Sequence, residues 1–272
     1  MSSRRWDPAR SFRRFAPALA LAAALLLWSG QAPAAVHAEQ SPEARAILLK
    51  MANFLAEAPG FSVSVRSGYD AIQEDGQRIE FGERRKILLQ RPDRLCVEME
   101  RSDGEQGLVL FDGRVITAFK ADDNVYARVE RPGNVDGAVV FLVRDLQMTL
   151  PLARMFLTTL PQELENRVES VAYVEENTLF AVPVDHLAAR TAEVDLQVWV
   201  AQGEQPLPRR VVITYRNAPG QPQFRADFTD WNLAPEAGAA DFTFTPPAGA
   251  EQIPFLAPVR KGSLPAQEGG QP

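Results

Sequence analysis

The adjacent residues Asp185 and His186 are the arrangement in this sequence most suited to catalysis. A histidine beside a carboxylate can act as a general base. The alternating residues from Thr178 to Leu187 predict a strand, on which neighbouring side chains point to opposite faces. The two side chains then cannot bond as a dyad, and no serine occupies a nucleophile-elbow motif. We therefore expect a structural or surface histidine, no catalytic residue and no enzyme. A hydrolase centred on His186 is the alternative.

Clustered acidic residues suggest metal binding at two other places. The turn Asp122-Asp123-Asn124 and the pair Asp227 and Asp230 carry oxygen ligands suited to a hard cation. The turn lacks the loop length and the final glutamate of a calcium-binding hand. Aspartate and asparagine are also the ordinary residues of turns. We expect these residues to form turns, with no bound metal and no cofactor.

Cysteine and histidine are scarce. One cysteine in 272 residues excludes an intramolecular disulfide and a thiolate metal cluster, and two histidines leave little for an imidazole site. Cys96 lies between Leu95 and Val97 in a predicted strand. We expect it to be a small packed residue rather than a reactive thiol.

The first 38 residues have the pattern of an export signal. The apolar segment 16–28 has 13 residues, fewer than the ~20 that span a bilayer. Cleavage is expected after Ala38, with Ala34 as the alternative, and an uncleaved anchor is the other possibility. We favour the general secretory route over the twin-arginine route, and we expect a periplasmic protein. The positive charges before the apolar segment are Arg4, Arg5, Arg10, Arg13 and Arg14.

The charge of the remaining chain restricts its partners. The whole chain has a net charge of −6, and removing the signal takes away five arginines and one aspartate, which leaves −10. That field repels polyanions, so we expect no nucleic-acid binding. With 46% apolar residues the composition is that of a globular protein, which we expect to be a monomer.

A helix is predicted to follow the export signal. Ser41 can cap it, Pro42 suits its first turn and Glu43 complements its dipole. Its apolar residues recur at helical spacing, and Pro59-Gly60 ends it. Such an amphipathic helix must lie on another layer. Its stripe consists of Ile47, Met51, Phe54, Leu55 and Ala58.

The rest of the chain predicts about eleven antiparallel strands. Six come in meander order, including a hairpin at Asp112-Gly113. A helical insertion over 135–167 follows, and then five strands within 168–232. A sheet of this size curls or closes. We therefore predict an α+β domain over 39–255, in which the helices cover the concave face of the antiparallel sheet, and a flexible tail over 256–272.

Several segments in this order resemble the periplasmic lipoprotein-carrier (LolA/LolB-like) superfamily. They are Phe61-Ser62-Val63, Gln90-Arg91-Pro92-Asp93, Phe111-Asp112-Gly113, Asn124-Val125-Tyr126 and the close from Asp241 to Gly249. Within that superfamily the chain is most similar to an uncharacterised periplasmic family. The resemblance implies an unclosed barrel with a helical lid over an apolar cavity, which in the carriers takes lipoprotein acyl chains. It also implies that Arg91, in the position of the carriers' Arg-Pro arginine, holds the lid shut.

The resemblance implies that apolar residues of the lid and the sheet line the cavity, although each could equally be ordinary core. Met51 suits a lid because methionine adapts to different neighbours. The candidate ligand-binding residues are Ile47, Met51, Phe54, Leu55, Val63, Val65, Phe81, Leu95, Val97, Leu142, Leu146, Met155, Phe156 and Trp199.

Two functions are consistent with this fold. One is a carrier or sensor of a hydrophobic ligand, such as a lipid or the acyl chain of a lipoprotein. The other is a protein-interaction module of the cell envelope with a filled core and transient protein partners. A cavity of several hundred Å³ under the helices favours the first function, because that is the usual size of a ligand pocket. A packed interior favours the second.

Overall fold

The computed structural model describes residues 41–146, 150 and 152–255. The predicted export signal and the tail over 256–272 lie outside these residues. In the described ranges no helix has both the length and the apolar character needed to cross a membrane.

Secondary structure follows the predicted order of helix, strands, helical insertion and strands. The helices are α1 (Pro42–Glu57), α2 (Val135–Val140) and α3 (Leu160–Arg167), with a π-helical turn over Phe141–Asp145 and 3₁₀ turns over Ala153–Phe156 and Ala239–Phe242. The first six strands are β1 (Gly60–Ile72), β2 (Arg78–Gln90), β3 (Arg94–Arg101), β4 (Gln106–Phe111), β5 (Val115–Lys120) and β6 (Val125–Glu130). The others are β7 (Ser170–Asn177), β8 (Val184–Arg190), β9 (Val194–Ala201), β10 (Pro208–Tyr215), β11 (Gln223–Asn232) and β12 (Glu251–Gln252).

All twelve strands form one sheet in the order β12-β6-β5-β4-β3-β2-β1-β11-β10-β9-β8-β7. Every pair is antiparallel except β12 with β6. The central strand β1 joins the two halves of the sheet, since it pairs with β2 on one side and β11 on the other. The predicted α+β class and the large unclosed sheet are confirmed. The two-residue strand β12 was not predicted.

Helix α1 begins and ends where its sequence indicates. Ser41 Oγ accepts a hydrogen bond of 3.1 Å from the backbone N–H of Ala44. At the other end the N–H of Ala58 donates to Phe54 O, and Pro59 cannot continue the helix. The buried face is turned slightly from the predicted stripe, so that Ile47 and Phe54 are only half-buried at its margins. Its buried residues are Ala44, Leu48, Met51, Ala52 and Leu55.

Two segments are less regular than predicted. The first part of the helical insertion predicted over 135–167 is α-helical only to Val140 and then widens into the π-helical turn. The strand expected from Thr178 begins at Val184 instead, so that expectation was wrong for residues 178–183. Pro183 precedes the strand, and proline has no N–H to give to a ladder.

A single apolar core lies between one face of the sheet and the helices. We call this sheet face the inner face, and we call residues 42–57, 135–146 and 152–167 the helical cover. Phe61 of β1 lies at the centre of the core. Its ring centroid is 5.6 Å from that of Phe156 in the helical cover and 5.3 Å from that of Trp231 on β11. Burial of each such side chain stabilises the fold by about 1.5–3 kcal/mol.

Candidate functional site

Arg91 fastens the helical cover to the sheet. It follows directly after β2, and its backbone N–H donates to Pro59 O at 2.8 Å. Its Nε donates to Ala58 O at 3.1 Å and its Nη2 to Leu55 O at 3.4 Å, both at the end of α1. Nη2 also donates to Phe156 O at 2.9 Å. One guanidinium thus bonds to main-chain carbonyls of two separate cover segments.

Asp136 of α2 brings a third cover segment to the same guanidinium. Its Oδ1 lies 3.5 Å from Arg91 Nη1. Its carboxylate also accepts hydrogen bonds from the backbone N–H and the hydroxyl of Thr158. Asn134 caps α2 by accepting a bond of 2.9 Å from the Gly137 N–H, which fixes the start of the helix that carries Asp136.

The Arg91 guanidinium is largely withdrawn from water, with 13% of the side chain exposed. Burial lowers the pKa of Arg91 and the charge of Asp136 raises it, with burial the larger influence. The group stays protonated at physiological pH because arginine is not deprotonated in proteins. The guanidinium of Arg91 therefore keeps its charge. The helical cover is released from Arg91 only if these hydrogen bonds are exchanged for others.

Most predicted ligand-binding residues meet in the core. The structure buries Met51, Leu55, Val63, Val65, Leu95, Leu142 and Phe156 in one cluster, with Ile47, Phe54, Val97, Leu146 and Met155 packed against it. These side chains occupy the space between the helical cover and the inner face. The interior is packed in the described part of the chain, which is the outcome that favours an interaction module.

Two predicted residues lie elsewhere. Trp199 was expected inside, but it faces outward, where its ring stacks on that of His186 at a centroid distance of 4.0 Å. Its neighbours Val198 and Val200 take the inner positions. Phe81 lies on the inner face beyond the helical cover, 41% exposed and stacked on Tyr69. The prediction for Trp199 was wrong because side chains alternate along β9, which places Val198 and Val200 on the inner face.

The Asp185-His186 pair has separate partners. Asp185 Oδ1 accepts bonds from the Tyr173 hydroxyl at 3.2 Å and from Gln202 Nε2 at 2.9 Å. His186 Nε2 lies 3.0 Å from Gln197 Oε1. Burial lowers the pKa of His186, opposed by the bond to Gln197 and by the charge of Glu175. The His186 imidazole is half-buried and stacked on Trp199, and its burial disfavours the charged form.

The other chemically suggestive residues have structural contacts. Asp227 accepts from Arg210 Nη1 at 2.8 Å, and residues 121–124 form a turn. Burial raises the pKa of Cys96 to about 11, so its thiol is protonated at neutral pH. Across the described ranges no three side chains of His, Cys, Asp or Glu are grouped closely enough to hold a metal ion.

Two surface depressions lie outside the core. A groove of about 440 Å³ runs between the exposed side of α1 and the loop at Glu204 and Pro206. A hollow of about 290 Å³ borders residues 130–138. Neither lies between the helical cover and the inner face.

Sequence reasoning missed the partner of Arg91 and a second polar group. Nothing in the spacing of Asp136 indicated that it would meet a residue 45 positions earlier. Glu83 and Arg85 were also missed, and they form an ion pair on the inner face. Glu83 and Arg85 alternate along β2 with the same spacing as the apolar Ile87 and Leu89. This spacing was the sequence pattern that could have placed the two charges on the inner face.

The fold and this fastened cover define a half-barrel with helices over its inner face. The chain belongs to the family described as "Predicted periplasmic protein (DUF2092)", whose model matches residues 44–256. This confirms the predicted kinship to an uncharacterised periplasmic family. A comparison with curated proteins found no match.

Solved structures with similar folds come from several bacteria. An uncharacterized conserved protein from Thermus thermophilus has 10% identity and a TM-score of 0.46, covering 78% of this chain and 99% of that one. A LolA superfamily protein from Nitrosomonas europaea has 13% identity and a TM-score of 0.37, covering 74% and 97%. MucB in the Pseudomonas aeruginosa MucA/MucB complex has 17% identity and a TM-score of 0.40, covering 75% and 63%.

Proposed function

We propose that this protein is an exported, non-enzymatic binding protein that takes an acyl chain between the inner face and the helical cover. The observation that carries the proposal is the fastening by Arg91. A single side chain holds three cover segments through hydrogen bonds at their ends, while the surfaces they press together are apolar. A cover held in this way can move and expose the apolar residues beneath it.

The energies are compatible with opening. Hydrogen bonds to a charged group contribute about 1.5–3 kcal/mol each, so exchanging those of Arg91 costs on the order of 5 kcal/mol. An acyl chain gains ~0.8 kcal/mol per buried CH₂, or about 10 kcal/mol for ~14 carbons. The bound chain would also replace the contacts that the cover loses. A ligand of this length can therefore drive the cover open.

The test is a titration of the delipidated protein with a fluorescent fatty acid. We expect saturable binding with one chain per protein. Ile47→Gln should weaken it, because Ile47 packs against the core at the margin of α1. Leu49→Gln is the matched control, since Leu49 lies on the same helix but lines the outer groove. Equal binding by both variants would argue against an interior site.

An interaction module of the envelope is the second candidate, and the packed interior favours it. In that case neither the protein nor an opened variant such as Arg91→Leu binds fatty acid. Native mass spectrometry of the protein purified from its own periplasm separates the candidates. A retained mass of a few hundred daltons supports the carrier, and a retained polypeptide supports the module.

Export itself is part of the proposal. The predicted signal over residues 1–38 should be removed after Ala38, which leaves a periplasmic monomer. The intact mass of the protein recovered from the periplasm tests the cleavage site, and its sedimentation tests the monomer.

A further inference from the structure

A buried polar cluster interrupts the apolar inner face. Ser67 of β1 is 4% exposed, and its hydroxyl donates to Glu83 Oε1 at 3.2 Å. The same carboxylate oxygen forms an ion pair with Nη2 of Arg85. The side chains of Glu83 and Arg85 are each only 12% exposed.

Strand register places this cluster among apolar residues. On β1 and β2, Val65 pairs with Arg85 and Ser67 pairs with Glu83. Side chains two residues apart share a face, so the cluster shares its face with Val63 and Val65, both buried. The cluster therefore belongs to the inner face, next to the residues that the helical cover conceals.

Stability does not explain why charges are buried here. Desolvation of a buried ion pair commonly offsets its attraction, and apolar residues of similar volume serve as well or better. In addition, Nε of Arg85 is buried and has no hydrogen-bond partner within the described part of the chain. A buried donor without an acceptor is unfavourable. Within the described residues this N–H still lacks the acceptor that a guest molecule would supply.

Apolar surface continues on the other side of the cluster. Tyr69 and Phe81 follow on the same face and stack with ring centroids 5.8 Å apart. The inner face thus runs from a covered apolar zone, across one polar point, to a partly exposed aromatic zone. An acyl chain that lies on the covered zone would bring the linkage to its head group to this polar point and the head group to the exposed end.

We propose that Arg85 Nε–H donates a hydrogen bond to the carbonyl oxygen of an ester or amide that links an acyl chain to its head group. A neutral acceptor fits better than an anion because Glu83 already neutralises Arg85. The nearby Arg101 is likewise paired, with Glu105 at 2.5 Å. This inference rests on the proposed function, since it assumes that the acyl chain lies under the helical cover.

The experiment compares two ligands of equal chain length. One is a 1-monoacylglycerol, which has an ester carbonyl, and the other is the 1-alkylglycerol ether, which lacks it. The protein, expressed as the full chain and delipidated, should bind the ester about ten-fold more tightly, the equivalent of one hydrogen bond. The double variant Glu83→Gln/Arg85→Met should bind both ligands equally.

The matched control is an ion pair on the opposite face of β2, between that strand and β3. Arg84 and Glu100 pair at 2.6 Å on the outer face. The variant Arg84→Met/Glu100→Gln should keep the ten-fold preference for the ester. If the unmodified protein shows no preference, or if the inner-face double variant retains it, the carbonyl inference is wrong and acyl binding stands. If neither ligand binds the unmodified protein or the control, the proposed function itself fails.

A spectroscopic measurement covers the case in which the double variant does not fold. When the ligand is bound to the unmodified protein, the infrared stretch of a ¹³C-labelled ester carbonyl should lie at a lower frequency than in an apolar solvent. A bound ester whose carbonyl stretch matches that in an apolar solvent would overturn the inference.

Discussion

The Nη2 atom of Arg91 lies 2.9 Å from the carbonyl oxygen of Phe156, a residue 65 positions further along the chain. This bond joins the end of β2 to the 3₁₀ turn of the helical cover. The same turn presses the Phe156 ring against Phe61. One residue therefore supplies both the carbonyl that holds the cover and the ring that fills the space beneath it.

Replacing Arg91 with leucine should loosen the helical cover. The change leaves three main-chain carbonyls without their donor and leaves Asp136 without its counter-charge. We expect the free energy of unfolding to fall by about 3 kcal/mol, in line with the loss of one partner of a buried pair. Hydrogen-exchange protection of residues 43–58 should fall more than that of the sheet. The exposed Arg84→Leu is the control, and equal protection of 43–58 in both variants would remove the gating role of Arg91.

Shortening Phe156 should create room for a guest. Phe156→Ala removes a buried ring and should destabilise the protein by about 3 kcal/mol. Because the acyl chain then displaces less protein, the fluorescent fatty acid should bind more tightly. Phe119→Ala is the control, since Phe119 packs against Phe244 rather than in the interior. Unchanged or weaker fatty-acid binding by Phe156→Ala would place the ligand elsewhere.

The two tryptophans beyond the export signal should respond differently to a brominated fatty acid. The Trp231 ring lies 5.3 Å from Phe61 inside, and its Nε1 donates to Pro208 O at 3.1 Å. Trp199 stacks on His186 at the outer face. Bromine quenches only nearby indoles, so quenching should persist in Trp199→Phe and disappear in Trp231→Phe. The reverse result would put the ligand on the outer face.

Asp70 should make the protein acid-sensitive. Its side chain is 2% exposed, and Arg225 Nη1 donates to it at 2.8 Å. Burial raises the pKa of Asp70, but the bonds from Arg225 and the Gln223 N–H and the charge of Arg78 together lower it below 3.8. The folded state thus binds the proton less readily than the unfolded state. The stabilisation is complete above the unfolded pKa of about 4 and is lost as pH falls through the folded value.

Urea unfolding of the protein and of Asp70→Asn measures this contribution. The variant should be about 2 kcal/mol less stable at pH 7, since it loses charge-assisted hydrogen bonds. The difference should stay constant down to pH 5 and shrink at pH 3. Glu74→Gln, in the neighbouring exposed turn, should show no such difference. If the free energies of unfolding of the protein and of Asp70→Asn differ by as much at pH 3 as at pH 7, the proposed contribution of the Asp70 carboxylate is wrong.

Local patterns were sufficient to predict most elements. Strand β11 ends at Asn232, the predicted limit of the last five strands, the Asp112-Gly113 turn joins β4 to β5, and Ser41 caps α1. Each depends on short-range chemistry that a few neighbouring residues determine. The strand wrongly begun at Thr178 failed because its apolar residues fit the alternation while Pro183 could not join the ladder.

The site depends on long-range relationships that periodicity does not contain. The face of α1 was misjudged because Ile47 and Leu48 are both apolar, and only the position of the sheet decides which is buried. Phe81 has the correct face, but the extent of the helical cover leaves it exposed. Arg91 was found through resemblance alone, and its partner Asp136 through the structure alone.

The central place of β1 affects how the sheet is assembled. One edge of β1 pairs with β2, the next strand in the chain. The other edge pairs with β11, which is synthesised much later and whose Asn232 pairs with Ser62. In a polypeptide that emerges N-terminus first, the earliest strand keeps an open edge until nearly the last strand has appeared. Open strand edges recruit other chains. The nascent protein therefore needs protection from other chains until late in its synthesis, and a chain that ends before residue 223 lacks the strand that pairs with the free edge of β1.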